Sequence, residues 1–279
     1  MKKIFYLLLL VVFGFNISWA QSYRKSMDSK MDSIISILNR VEKAKTDSMR
    51  LVLGKKSADY LQEILMHPRS WNIDYSPLKK KLSILESKDH SVRIFTWAVP
   101  LSEGYRYYGF IQRYDKKHNM TFFYRLYDRS DDMKNPEKQY LDQDNWYGCV
   151  YYDLITKKYK HRTIYTVLGA DPDGDLINRK IIDVITFRGN GSPRFGYDFH
   201  NEYGQPVKRF IFEYNNQASM MLRWEDRLKM IVFDHLSPSE PRYKGLHQFY
   251  GPDFSYDGLK FEKGKWIYLI DIDLRAPKK

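Results

Sequence analysis

A chain of 279 residues that is 43% hydrophobic and 16% aromatic can build one large packed domain or two small ones, which excludes a disordered polymer. Its single cysteine, Cys149, excludes an intramolecular disulfide, so stability must come from the core. The formal net charge of +12 favours anionic partners, yet Lys and Arg are spread along the chain instead of forming one nucleic-acid-binding block.

The first twenty residues read as an export signal. Lys2 and Lys3 precede an apolar run from Ile4 to Phe15, and Ser18-Trp19-Ala20 offers small residues where signal peptidase reads them. Cleavage is expected between Ala20 and Gln21. The run is about a dozen residues, shorter than the roughly 20 that cross a bilayer as a helix. A lipoprotein would carry cysteine where Gln21 stands, so the expected product is a periplasmic or extracellular protein without a lipid anchor. No later run has transmembrane length. Export removes nucleic acid from the expected partners and leaves an envelope polymer or a partner protein.

Residues 21–90 predict a helical segment. Apolar residues at 31, 34, 35, 38 and 41 mark one helix face. A second helix starts at Thr46-Asp47, carries Leu51, Val52, Ala58, Leu61, Ile64 and Leu65, and ends before Pro68, with Gly54 as a point of division. Ser76-Pro77 opens a third, with Leu78, Leu82 and Leu85 on one face.

The pattern changes near Ser91. Residues 91–279 are rich in Val, Ile, Tyr, Phe and Trp, cut at short intervals by Gly, Asp, Asn and Pro, and predict about eleven strands from Val92–Val99 to Lys265–Asp271. The intervals are too short for crossover helices, so the strands are antiparallel. Asp115-Lys116-Lys117-His118-Asn119, Arg188-Gly189-Asn190-Gly191 and Lys263-Gly264 read as hairpin turns. Residues 128–145 read as an exposed loop with room for a helical turn. The fold class is α+β: a helical segment followed by a large, mainly antiparallel β domain, a sandwich or meander.

Several motifs from Trp146 onward resemble a family of uncharacterised secreted proteins of Gram-negative bacteria. They are Asn145-Trp146-Tyr147-Gly148, Tyr165-Thr166-Val167-Leu168-Gly169, Asn178-Arg179-Lys180-Ile181-Ile182-Asp183-Val184, Arg209-Phe210-Ile211-Phe212-Glu213-Tyr214 and Ile231-Val232-Phe233-Asp234-His235-Leu236. The ending Phe249-Tyr250-Gly251-Pro252-Asp253-Phe254 continues the likeness. The resemblance implies export and a common β-rich fold; it carries over no activity, cofactor or site residue.

Candidate site residues each have two readings. Asp171, Asp173 and Asp175 crowd three carboxylates into five residues, as calcium loops do, but the set lacks the EF-hand glycine and distal glutamate, and Asp, Pro and Gly also build hairpin turns. Asp234-His235-Leu236-Ser237 offers an acid, an imidazole and a hydroxyl, yet adjacent strand residues point to opposite faces, so Asp234 and His235 are poor partners in a triad. Asp253 and Asp257, near His247 and Tyr250, are spaced to act as acid and base on a glycan or to cap backbone amides in a loop. Asp198 with His200, and Asp271 with Asp273, are further pairs. No two histidines stand at zinc-ligand spacing, and no phosphate loop or dinucleotide fingerprint exists. The expected function is a non-catalytic envelope or secreted binding protein without a cofactor. The alternative is a hydrolase of glycan or peptide using Asp234, His235, Asp253 and Asp257.

Overall fold

The structure, a computed structural model, describes residues 24–172 and 176–275. The export signal, Asp173 and Asp175 lie outside the described residues. Helix α1 runs over 24–43 and α2 over Asp47–Leu65. The Thr46 hydroxyl caps α2 by accepting from the Met49 N–H, and Asp47 sits in the first turn where the helix dipole favours an acid. Most of the expected faces are buried, Met31, Ile34, Leu38 and Val41 on α1 and Ala58, Leu61, Ile64 and Leu65 on α2, but Leu51 is only partly buried and Val52 is exposed, because Leu53 takes the inward position in the first turns. Gly54 does not divide α2. A Cβ there would lie 2.8 Å from the Tyr108 ring, so the missing side chain lets a strand approach the helix.

The third helix does not extend as expected. Ser76–Lys80 forms a short 3-10 turn, and the chain then enters strand β1, Ser83–Glu86. Leu78 and Leu82 pack under the helices while Leu85 packs on the far side of the sheet. A single helix face cannot serve two cores, and pairing with the next strand overrides the helical spacing.

Strands β2 (Val92–Pro100), β3 (Tyr105–Asp115) and β4 (Met120–Tyr127) follow β1 in an antiparallel meander, sheet I. The loop 128–145 contains two 3-10 turns, Ser130–Asp132 and Pro136–Lys138. Strands β5 (Val150–Tyr159), β6 (Arg162–Pro172) and β7 (Ile177–Phe187) lead into β8 (Pro193–Phe195), a two-stranded ribbon of β9 (Phe199–His200) and β10 (Pro206–Val207), and β11 (Phe210–Asn215). Sheet II has the order β11-β7-β6-β5, with β8 on the other end of β7. Sheet III is a second meander of β12 (Leu222–Glu225), β13 (Met230–Pro238), β14 (Tyr250–Glu262) and β15 (Lys265–Leu269).

Three cores separate these layers. Helices α1 and α2 pack on Phe95, Trp97, Val99 and Phe110 of sheet I. The opposite face of sheet I, with Val92, Ile94 and Ile111, meets Leu154, Tyr165, Val167 and Ile181 of sheet II. The far face of sheet II, with Ile164, Leu168, Ile182 and Val184, meets Leu222, Ile231, Phe233, Leu259 and Trp266 of sheet III. Sheets I and II are therefore covered on both faces. Among the described residues, no helix is long and apolar enough to cross a membrane.

Candidate functional site

Two places gather chemistry-bearing side chains. The first is the rim of the third core, where β13 and β14 fall out of simple register. Asp234 pairs with Tyr256, but Leu236 pairs with Pro252, so residues 253–255 of β14 oppose the single residue His235. Phe254, inside this bulge, holds φ +71 and is 92% exposed. The bulge brings acids to the imidazole. Nδ1 of His235 lies 2.8 Å from Oδ2 of Asp257, and Oε2 of Glu202, from the β9–β10 loop, lies 3.8 Å from the same nitrogen. The Tyr268 hydroxyl donates to Oδ2 of Asp257 at 2.7 Å and the Asp271 N–H to Oδ1 at 3.1 Å.

The electrostatics follow from this crowding. Burial would lower the His235 pKa, but Asp257, with Asp253 and Glu202 behind it, raises it overall. Burial would raise Asp253, but donors from Ser255 and Ser237 outweigh it and hold the carboxyl below its usual range. Burial and the Asp257 carboxylate together push the Tyr268 phenol far up, so it stays a neutral donor.

The four catalytic candidates divide. His235 and Asp257 meet directly; Asp253 is close enough to act on His235 through its charge and accepts from the Ser237 hydroxyl at 2.9 Å. Asp234 turns to the other face, as strand alternation requires, and accepts from the Met221 N–H at 2.6 Å. Its burial raises its pKa, with the Met221 N–H opposing. Of the calcium candidates, Asp171 is buried and accepts from the Tyr107 hydroxyl at 2.5 Å and from Arg179 at 3.3 Å. Asp198 bonds Tyr140 and Lys208 instead of His200, and Asp273 pairs with Arg275. Cys149 is fully buried, and burial pushes its thiol well up. Sequence reading missed Glu202 and Tyr268, which lie 33 residues on either side of His235 and carry no local signal.

The second place is a cleft of about 720 Å³ where the β3–β4, β5–β6 and β7–β8 turns meet. Arg113, Lys116, Lys117, Arg162, Arg188 and Arg194 line it with His161, against only two acids, Asp89 and Asp115. Both acids have local donors: Asp89 accepts from the Tyr165 and Ser87 hydroxyls, and Asp115 pairs with His118. Elsewhere most arginines are matched, as Arg93 is with Glu86, Arg125 with Asp59, Arg179 with Glu213 and Arg209 with Asp183. Among the described residues, Arg113, Lys116, Lys117, Arg162 and Arg194 have no carboxylate within ion-pair distance. Arg113 lies over the Phe187 ring and Arg194 over the Tyr140 ring. These stacks hold the two guanidiniums against rings without an ion pair, although the charge of Arg194 reaches Asp198 and helps to lower its pKa. Tyr114, Tyr165 and Tyr197 complete the wall.

Compared with models of known protein families, with curated proteins and with solved structures, the chain finds no match.

Proposed function

We propose that this is an exported, non-catalytic binding protein that holds an anionic polysaccharide of the cell envelope in the basic cleft. The observation that carries the reading is the set of five Lys and Arg side chains around one concavity without carboxylate partners, in a chain whose other arginines are mostly paired. Cations without ion-pair partners in a cleft raise the local concentration of an anion, and the partly exposed Tyr114 and Tyr197, unlike the buried Tyr165, offer ring surface beside them. Export rests on the Lys2–Ala20 signal, and Gln21 as the first mature residue fits the periplasm, the cell surface or the medium.

The test is fluorescence anisotropy of labelled dextran sulfate against labelled neutral dextran, over a sodium chloride series. The sulfated polymer is expected to bind and the neutral one not, with affinity falling as salt rises. Arg113→Glu with Arg162→Glu should weaken binding by about tenfold or more, which is about 1.4 kcal/mol, mainly through the association rate. Equal binding of both polymers, or binding indifferent to the two substitutions, defeats the reading.

The hydrolase alternative draws on one observation. Asp257 holds Nδ1 of His235, the orientation that leaves Nε2 to move a proton. Ser237, the nearest hydroxyl in sequence, donates to Asp253 and not to the imidazole. Release of reducing ends from glycan, or of new amino termini from peptide, that is lost in His235→Gln supports the hydrolase over the binding protein.

A further inference from the structure

We infer that Glu202, His235 and Asp257 form a binding site for a divalent transition-metal ion of the zinc type. The three side chains come from the β9–β10 loop, β13 and β14, and one ligand atom from each lies within 4.8 Å of the other two. Two of the separations are 2.8 and 3.8 Å. In a tetrahedral site with metal–ligand bonds near 2.0–2.1 Å, ligand atoms stand about 3.3 Å apart. The observed separations bracket that value, so small side-chain adjustments, chiefly of the partly buried Glu202 on its loop, suffice.

Charge supplies an independent reason. Asp257 is 1% exposed, and a carboxylate taken so far from water needs a cation partner. Its donors are a phenol, a backbone N–H and the imidazole. Among the described residues, no Lys or Arg forms an ion pair with Asp257, Glu202 or Asp253. Three acids thus surround one histidine in a strongly basic chain. Buried Asp183, by contrast, has its own arginine. A divalent ion neutralises the site where a single imidazolium does not.

The donor set selects the metal class. An imidazole nitrogen disfavours calcium and magnesium, which take oxygen ligands, and suits zinc and its neighbours. The Asp271 N–H holds Oδ1 of Asp257 from behind and the Tyr268 hydroxyl orients Oδ2, the oxygen that faces His235, as the outer partners of metal ligands do. Three protein ligands would leave a fourth tetrahedral position for water, at a site where His235 and Glu202 are both partly exposed. The site is separate from the basic cleft and does not depend on it.

The experiment is a titration of the mature chain with zinc chloride by isothermal calorimetry, with cobalt chloride absorption as the geometric readout. One zinc per chain is expected, with proton release, and intense visible cobalt bands of a four-coordinate ion. Calcium chloride should give no heat of binding. His235→Ala should abolish the site. Glu202→Gln, a partly buried loop substitution that leaves the core intact, should weaken zinc binding by about tenfold or more while the melting temperature without metal is unchanged. His247→Ala, at a separate surface histidine paired with Glu213, should retain full binding. No stoichiometric zinc binding, or binding unchanged in both His235→Ala and Glu202→Gln, overturns the assignment. If His235→Ala does not fold, Glu202→Gln and the cobalt spectrum decide it.

Discussion

Arg209 gives the sharpest test of how the layers are held. Its side chain is fully buried at 0% exposure, and its Nε donates to Oδ2 of Asp183, itself 1% exposed, at 2.8 Å. Its Nη1 donates to the Pro136 and Gln139 carbonyls, so one guanidinium ties the 128–145 loop to the middle of sheet II. Arg209→Ala leaves a buried carboxylate with backbone donors only and strands two carbonyls. Breaking a buried ion pair on one side costs about 3–5 kcal/mol, a large part of the roughly 5–15 kcal/mol that holds a domain together.

The unfolding equilibrium should therefore shift by about a thousandfold, read as a fall in the urea midpoint of tryptophan fluorescence at unchanged slope. Burial already raises the Asp183 pKa, with Arg209 opposing. Without the arginine the folded state binds a proton more readily than the unfolded chain, so the variant's deficit should shrink as the pH falls from 7 toward 5. Arg209→Met with Asp183→Leu should recover much of the loss, because a neutral pair of similar volume leaves no buried charge. A single substitution costing less than about 1 kcal/mol, or a double variant as unstable as the two singles summed, refutes the reasoning.

Two further predictions concern other parts of the molecule. Burial would raise the Glu213 pKa, but Arg179 and His247 outweigh it and depress the group below its usual 4.5. Such a carboxylate contributes stability above the unfolded-state value that is lost as pH falls through the lower folded-state value. Glu213→Gln should thus flatten the fall in melting temperature below about pH 4.5, and an acid limb as steep as that of the parent speaks against it. At Phe254, left-handed φ with almost no packing predicts that Phe254→Gly is more stable than Phe254→Ala by about 1 kcal/mol in urea unfolding; equal stabilities, or Ala ahead, contradict a strained bulge.

The α+β division was legible because helices and strands here differ in period. Met31, Ile34, Leu38 and Val41 mark one buried stripe, and the turn expected at Lys263-Gly264 forms with both residues at positive φ. Three stacked sheets were not legible. Strand alternation reveals a fold when one face is wet, whereas β2 sends Phe95, Trp97 and Val99 to one core and Val92 and Ile94 to another. An apolar run buried on both faces reads only as a strand, without stating what lies on either side. The 82–86 segment failed for the related reason that helical spacing is weaker than a partner strand.

The candidate sites divide along the same line between local and distant information. Opposite strand faces were enough to separate Asp234 from His235, and the structure keeps them apart. Pairing His235 with Asp257 depends on the 253–255 bulge, which moves the β14 register by two residues against β13, and no residue in that loop announces a bulge as glycine would. The basic cleft depends on three turns, at 115–119, 160–161 and 188–192, that are remote in sequence and converge only through the stacking of sheets I and II. In both places the informative quantity is whether a charge has a partner. Arg113 and Arg162 belong to the same residue type as Arg93 and Arg179, and Asp257 to that of Asp183; the sequence presents them as equals. Packing distinguishes them, since Arg93, Arg179 and Arg209 meet carboxylates that tie strands and layers together, whereas Arg113 lies over a ring and lines an open cleft.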